Sequence, residues 1–243
     1  MTLLKKTVAA CAVALAGLAA APAGAATVGT IPGGATNQFI STFFPGQQIQ
    51  GWYDADLYLV GGPANILVEY FGAEAGYSNS FTYTGCGPGP TSFGHTGGAG
   101  GGNGTFDADP PAGFGATDSL GTCSTTQNAG LLNFSFLVNG ITPLLNGFNN
   151  PNVGSNPNFF VSFDNNYALD TNVGDGTSGG GQSVFLFLDD GGAGNDDNHD
   201  DMVLRISISG PGTFQVPEPT SLALLGAALF GLGAARRRAA AKK

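Results

Sequence analysis

The feature that most constrains the fold of this chain is a repeated alternation of apolar and polar residues, interrupted by clusters of Gly, Asn, Pro and Ser. In Leu131–Val138 every even-numbered residue is apolar, and Asn133 and Ser135 lie between them. Met202–Ser209 alternates in the same way. A period of two residues is typical of half-buried β-strands, and no stretch between the two ends of the chain shows a convincing helical period.

Eight segments are predicted to form strands. They are Asn37–Phe44, Trp52–Val60, Asn65–Phe71, Ser80–Tyr83, Leu131–Val138, Asn158–Phe163, Ser183–Leu188 and Met202–Ser209. Short strands joined by turn-rich segments favour an antiparallel β-sandwich, so we predict a mainly β fold. The predicted sandwich occupies residues 27–215, which is long enough for one domain with a substantial core.

The N-terminal end has a different composition. Residues 1–26 combine Lys5 and Lys6 with an apolar stretch and a small-residue end, Ala23-Gly24-Ala25. This pattern predicts a secretory signal peptide, after whose removal the chain begins near Ala26 or Thr27.

The C-terminal end, 216–243, has three parts in a fixed order: a Pro-Glu-Pro motif, an uncharged apolar segment 220–235 and a basic tail 236–243. As a helix the apolar segment spans roughly 24 Å, which is short of the ~30 Å core of a bilayer, so the arginines that follow must reach to the interface. A basic cluster after an apolar helix lies on the cytoplasmic side. We therefore predict a C-terminal transmembrane helix.

This order of elements resembles the PEP-CTERM sorting domain of exported proteins in Gram-negative bacteria. The residues that carry the resemblance, besides the Gly- and Leu-rich helix, are Val216, Pro217, Glu218, Pro219, Arg236, Arg237 and Arg238. The resemblance implies recognition by exosortase, a membrane cysteine protease-transpeptidase of bacteria that make exopolysaccharide. It also implies export across the inner membrane as a single-pass membrane precursor, cleavage near the motif, and delivery to the cell surface or extracellular matrix.

Charge is segregated along the chain. Sixteen of the seventeen acidic residues lie between the two ends, together with a single basic residue, Arg205. Such a surface repels nucleic acid and anionic membranes and favours cations, which excludes nucleic acid as a partner.

Two cysteines remain in the exported part, Cys86 and Cys123. Because exported chains fold in an oxidising compartment, we predict that this pair forms a disulfide. The absence of a C-x-x-C spacing argues against a metal-binding or catalytic thiol.

Possible oxygen ligands are concentrated in the loop between the last two predicted strands. Seven side chains can supply them: Asp189, Asp190, Asp196, Asp197, Asn198, Asp200 and Asp201. Six carboxylates so close together repel one another unless they are solvated or neutralised by a cation. Calcium takes six to eight oxygen ligands in a flexible geometry. Two interpretations stay open, a calcium site and a solvated acidic turn.

The segment Phe187–Val203 also resembles the C-terminal pair of strands of a bacterial extracellular β-domain of uncharacterised function, in which a Gly- and Asp-rich turn joins the strands. Asn198 and Asp200 depart from that pattern but retain a side-chain oxygen. The resemblance implies calcium as a cofactor. The implied ligands are Asp189, Asp190, Asp196, Asn198, Asp200 and Asp201.

No catalytic residues are predicted. His95 and His199 lie in no metal-ligand or catalytic spacing, and no nucleophile elbow or nucleotide-binding loop occurs. A histidine among so many carboxylates is expected to be a solvated loop residue.

The favoured function is therefore that of a non-enzymatic protein of the cell surface or extracellular matrix, stabilised by calcium. The alternative is a carbohydrate-binding or adhesive module associated with exopolysaccharide, and a secreted hydrolase is less favoured. The aromatic residues that such a module would use are Trp52, Tyr53, Tyr58, Tyr70, Tyr77 and Tyr83.

Overall fold

The structure, a computed structural model, describes residues 26–31, 37–43, 49–84, 91–95, 107–108, 123–140, 142–148, 151–164, 180–192 and 197–217. Within these ranges the chain forms one helix, α1 (Gln38–Phe43), and sixteen strands. The strands are β1 (Thr27–Thr30), β2 (Gln50–Tyr53), β3 (Tyr58–Val60), β4 (Ala64–Ala73), β5 (Asn79–Tyr83), β6 (Thr91–His95), β7 (Asp107–Ala108), β8 (Cys123–Gln127), β9 (Gly130–Leu131), β10 (Phe134–Val138), β11 (Thr142–Leu145), β12 (Asn158–Asp164), β13 (Gly180–Gly181), β14 (Ser183–Asp189), β15 (Met202–Ser209) and β16 (Thr213–Gln215).

The described strands form three antiparallel sheets. The first sheet has the order β1-β2-β12-β14-β15-β4-β7, and β8 also pairs with β4. The second has the order β11-β10-β5-β6 and the third β13-β16-β3-β9. The prediction of a mainly β, antiparallel fold is confirmed.

Aromatic side chains join the first sheet to the second. The ring of Phe159, on β12, lies 5.6 Å from the rings of both Phe134 and Phe136, on β10, measured between centroids. All three belong to the larger of two core clusters. Sheet-on-sheet packing of this kind supports the sandwich arrangement that the alternation suggested.

The central strands of the first sheet are buried on both faces. In β14, Val184, Leu186 and Leu188 contribute to the larger cluster, whereas Phe185 and Phe187 contribute to a second cluster on the opposite face. Every residue of β14 is buried. The strand is therefore an apolar run, since both of its faces are removed from water.

The second cluster is covered by α1. Phe39 is fully buried in it, and its ring centroid lies 5.6–5.8 Å from those of Phe71, Phe185 and Phe187. The helix thus adds a layer on the face of the sheet that points away from the second sheet.

The prediction of a strand over Asn37–Phe44 is wrong, because α1 occupies this segment. Asn37 Oδ1 accepts a hydrogen bond of 2.7 Å from Ile40 N, which is an N-cap interaction. The helix has only six residues and buries Phe39 above all, so it is too short to display a 3.6-residue period.

Two other predicted strands are divided. Trp52–Val60 is interrupted after β2 by Asp54, whose φ of 55° lies in the left-handed region and cannot continue a strand. Leu131–Val138 is divided between β9 and β10. The remaining five predicted strands agree with the structure to within two residues at each end.

The last strand connects the domain to the Pro-Glu-Pro motif. β16 pairs with β13 and β3 in the third sheet. Phe214 is fully buried, and Val216, which follows β16 directly, is only 4% exposed and belongs to the larger core cluster. The folded core therefore extends to the residue directly before the Pro-Glu-Pro motif, whereas Pro217 itself is exposed.

Candidate functional site

The acidic loop that joins β14 to β15 is packed into the protein. Asp189, His199 and Asp200 have no exposed surface, and Asn198 is 2% exposed. For the described residues of the loop, the interpretation as a solvated acidic turn is therefore wrong, as is the expectation that His199 is a solvated residue. Asp196 lies outside the described residues.

The start of α1 covers one side of the loop. Asn37 Nδ2 donates a 2.6 Å hydrogen bond to the backbone oxygen of Asn198, and Gln38 N donates to Asp200 Oδ2. From the end of β4, Glu74 N donates to the backbone oxygen of Asp200 at 2.9 Å. The loop is held by residues that are far away in the sequence.

Several of the predicted calcium ligands are engaged by protein donors. Asp190 Oδ2 accepts a hydrogen bond from Asn79 Nδ2 at 2.6 Å, and Asp201 Oδ2 accepts one from Asp190 N at 2.7 Å. Burial, assisted by the charge of Asp190, raises the pKa of Asp201 well above its usual range. These oxygens fix the shape of the loop and do not converge with Asp189 on one point.

Three other side chains do converge, and we call Asp189, Asp197 and His199 the DDH cluster. One ligand atom from each lies within 4.8 Å of the other two. His199 Nδ1 is 3.6 Å from Asp189 Oδ2 and 3.4 Å from Asp197 Oδ1. Within the described ranges, this is the group of His, Cys, Asp and Glu side chains that is close enough to hold a metal ion.

Asp189 enters the cluster at the end of β14 in a fixed orientation. Its Oδ1 accepts hydrogen bonds from Gly191 N at 2.8 Å and Gly192 N at 2.6 Å. Gly192 has a φ of +70°, and a Cβ at that position would lie 2.5 Å from Asn156 O, so only glycine fits. The second oxygen, Oδ2, is buried and has no hydrogen-bond partner among the described residues.

His199 is held in an unusual backbone conformation. Its φ is 58°, in the left-handed region that non-glycine residues rarely adopt. Its ring packs edge-on against Tyr53 and Phe160, with centroid distances of 5.5 and 6.1 Å. Strained residues of this kind persist where the surroundings fix them and are concentrated at functional sites.

A chain of amides fixes the tautomer of His199. Asn152 Nδ2 donates to both oxygens of Asp197 at 3.2 and 3.3 Å, and Asn158 Nδ2 donates to Asn152 Oδ1 at 3.1 Å. Asn158 Oδ1 is then the acceptor of the 2.8 Å contact with His199 Nε2, which must carry the proton. In the neutral ring, Nδ1 is left with a lone pair that faces the two carboxylates.

Burial sets the charge of the cluster. It raises the pKa of Asp189 to about 8 and lowers the pKa of His199. Partial burial acts to raise the pKa of Asp197 as well, but the His199 ring and the Asn152 amide outweigh it and hold this pKa below its usual value. At neutral pH, without a cation, one carboxylate is charged and the imidazole is neutral.

Sequence reasoning identified only one of these three side chains as a ligand. Asp189 was among the six implied calcium ligands. Asp197 was counted as an oxygen donor but left out of that set, and His199 was assigned to solvent. The spacing Asp197-x-His199 is the sequence pattern that indicates this cluster. It indicates a metal site only if both side chains are buried, and this burial is provided by α1 and the segment 151–158.

The remaining predicted residues are the aromatic candidates for carbohydrate binding and the two cysteines. Among the aromatic candidates, Trp52, Tyr70 and Tyr83 are buried and Tyr77 is 49% exposed. Half of the group therefore belongs to the core, and Tyr53 and Tyr58 are partly buried. Cys123 begins β8, but Cys86 lies outside the described residues, so the predicted disulfide does too.

A family profile described as the PEP-CTERM protein-sorting motif matches residues 215–238. The tail of this chain is a PEP-CTERM sorting signal. The signal implies an exported protein that exosortase sorts to the cell surface by a Gram-negative secretion route. Of this PEP-CTERM signal the described residues include only its start, up to Pro217, so Glu218, Pro219, the apolar segment and the three arginines lie outside them. In the part of the chain that is described, no helix is long and apolar enough to cross a membrane.

Other comparisons add little to the PEP-CTERM match. No curated protein matches the chain. The C-terminal domain of BC2L-C lectin from Burkholderia cenocepacia is similar over 63% of this chain and 95% of that domain, with 13% identity and a TM-score of 0.33. A similarity so low supports no inference about function.

Proposed function

We propose that this PEP-CTERM chain is a non-enzymatic protein of the cell surface or extracellular matrix, cut by exosortase near Pro217–Pro219 and stabilised by a divalent cation. The match of residues 215–238 to the sorting motif is the observation that carries the proposal. In this proposal the apolar segment 220–235 anchors the precursor in the membrane, and exopolysaccharide is the matrix partner of the released domain.

Processing of the full chain tests the sorting step. In a Gram-negative host that makes exosortase, we expect the exported chain to lose its tail and to accumulate at the cell surface. In a host without exosortase, and in a variant with Pro217→Ala and Glu218→Ala, the chain should stay in the membrane fraction at precursor length. Pro211→Ala, in the turn before β16, is the matched control and should be processed normally. Equal processing in both hosts would contradict the proposal.

The buried loop supports the proposal that a divalent cation stabilises the protein. Calcium is the ion that the sequence indicates, and Asp189 Oδ2 and His199 Nδ1 are buried polar atoms without a hydrogen-bond partner in the described structure. Atoms of this kind are costly unless something pairs with them. An ion at ~100 times its Kd stabilises the folded state by about 2.7 kcal/mol. For a domain of this size, we expect Tm to rise by roughly 5–10 °C relative to a chelator.

Carbohydrate binding through stacked aromatic side chains is less favoured, because Trp52, Tyr70 and Tyr83 are buried. A broad glycan array with the purified chain tests this alternative. Strong, specific binding that is lost on Tyr77→Ala would favour the carbohydrate-binding function over a purely structural one. A hydrolase screen at several pH values tests the proposal that the protein is not an enzyme.

A further inference from the structure

The arrangement of the DDH cluster leaves a specific gap in its hydrogen bonding. Asp189 Oδ2 and His199 Nδ1 belong to residues with no exposed surface, and neither atom has a hydrogen-bond partner among the described residues. They face each other at 3.6 Å, and Asp197 Oδ1 lies 3.4 Å from the same nitrogen. These separations are longer than the 2.7–3.2 Å of ordinary hydrogen bonds, and they leave room for an ion between the three atoms.

The imidazole presents a lone pair to this gap. Because Nε2 donates to Asn158 Oδ1, Nδ1 is the unprotonated nitrogen of the neutral ring. The charged carboxylate of Asp197, whose Oδ1 lies 3.4 Å away, repels this lone pair. A positive charge placed between the three atoms turns that repulsion into three attractive contacts.

We propose that Asp189, Asp197 and His199 bind one divalent transition-metal ion of the zinc class through Oδ2, Oδ1 and Nδ1. This inference rests on the cation that the proposed function places in the loop, and it names the ion. Imidazole nitrogen combined with carboxylate oxygen suits zinc and its first-row neighbours, whereas calcium takes oxygen ligands.

The spacing of the three ligand atoms fits this class of ion. A tetrahedral site with bonds of ~2.1 Å has ligand atoms about 3.4 Å apart, close to the two distances measured to His199 Nδ1. Asp197 keeps 15% of its side chain exposed, which gives the ion access from solvent. Water can complete the coordination at that open side.

Three other described carboxylates of the loop are held by protein donors through one oxygen each. Asp190, Asp200 and Asp201 each direct an oxygen to a protein N–H donor, namely Asn79 Nδ2, Gln38 N and Asp190 N. Their hydrogen bonds hold the loop closed around the DDH cluster. The predicted calcium ligands and the proposed ligands therefore share only Asp189.

Asn158 is a positioning residue in this site. It lies at the start of β12, has no exposed surface, and holds both the tautomer and the orientation of His199. Outer partners of metal-bound histidines typically contribute 10–100-fold to affinity. Replacing Asn158 should lower the affinity of the site for the ion without removing a ligand.

Metal binding to the full-length chain, purified in mild detergent and treated with chelator, tests the proposal. We expect one Zn²⁺ or Co²⁺ per chain after dialysis. The Co²⁺ form should show a visible absorption band, which indicates a low coordination number of the ion. Asp197→Asn and His199→Gln should each lower the affinity for Zn²⁺ at least tenfold, and Asn158→Ala should lower it by ~10–100-fold.

Two control variants test whether binding of the ion depends on the DDH cluster and not on other side chains. His95→Gln replaces the other histidine of the chain, in β6 of another sheet, and Asp190→Asn replaces a loop carboxylate outside the cluster. His95→Gln should keep the affinity for Zn²⁺. Asp190→Asn alters a residue that shapes the loop but removes no proposed ligand, so it should lower the affinity less than Asp197→Asn does. Because Asp197 is partly exposed, Asp197→Asn should fold even if His199→Gln does not.

The outcomes distinguish this inference from the proposed function. If calcium stabilises the protein, zinc and cobalt do not, and Asp190→Asn is as damaging as Asp197→Asn, the zinc-class site is wrong while the cation of the proposed function stands. If no divalent ion binds, both are wrong. Zinc binding that is lost in Asp197→Asn, kept in His95→Gln and less affected in Asp190→Asn supports the inference.

Discussion

Truncation of Phe39 is the most direct test of whether α1 covers the second face of the first sheet. Phe39 is fully buried on the second face of the first sheet, against the rings of Phe71, Phe185 and Phe187. Replacing a buried Phe by Ala costs about 3–5 kcal/mol, and the loss of edge-to-face contacts places the expected cost in the upper half of this range.

The assay is urea unfolding of the full-length chain in detergent, with and without divalent cation, monitored by tryptophan fluorescence. Because Tm falls by ~2–4 °C per kcal/mol in a domain of this size, Phe39→Ala should also lower Tm by roughly 8–20 °C. Phe148→Ala is the matched control, since Phe148 is 64% exposed and its truncation should change stability by less than ~0.5 kcal/mol.

A cost below about 1 kcal/mol for Phe39→Ala would refute the reasoning. It would mean that α1 does not cover the sheet, and that Phe185 and Phe187 are shielded in another way. Phe39→Leu should recover most of the lost stability, because it restores apolar volume without the ring geometry.

Three further predictions follow from buried polar groups and from the loop. Asn146→Ala should destabilise the fold by ~2–3 kcal/mol in urea unfolding, because the Asn146 amide makes hydrogen bonds of 2.7–2.8 Å to backbone groups of Leu57 and Leu132. Gly192→Ala should lower the free energy of unfolding by about 2 kcal/mol or more, because residue 192 has a φ of +70° and a Cβ there would lie 2.5 Å from a backbone oxygen. Gly191→Ala should lower it by less than ~1 kcal/mol, because the nearest neighbour of a Cβ at residue 191 is 3.7 Å away. Similar losses for the two variants would show that the close approach at Gly192 is not a constraint. In chelator, the free energy of unfolding should fall between about pH 6.5 and the Asp189 pKa of about 8, by up to ~1.4 kcal/mol per pH unit. The reason is that unfolded Asp189 is ionised in this range while the folded carboxyl keeps its proton. Bound metal should remove this dependence on pH, and an unchanged dependence would argue against Asp189 as a ligand.

The strands could be predicted from the sequence because their signal is local. Met202–Ser209 is predicted with the same bounds that the structure has, since the period of two is a property of the segment itself. Helix α1 could not be predicted in this way, because six residues show no period and the burial of Phe39 depends on β4 and β14. The antiparallel β-sheets likewise follow from the alternation, but the covering of the second face of the first sheet by α1 does not.

The site illustrates the same limit. The acidic composition of the loop identifies Asp189, but the role of His199 depends on partners that are distant in sequence. Asn158 lies 41 residues from His199, and Asn37 lies 161 residues from Asn198. Burial from these partners turns a polar loop into a buried cluster, and no local pattern reports it.

The burial of Val216 has a geometric consequence for the finished protein. Because the core reaches Val216, directly before the Pro-Glu-Pro motif, a product cut within that motif keeps a spacer of at most three residues between its body and its new C-terminus. At ~3.3–3.6 Å per residue, whatever is joined there stands within about one nanometre of the third sheet. The protein would therefore be displayed close to its attachment point, and the protease would have to cut within three residues of a folded core.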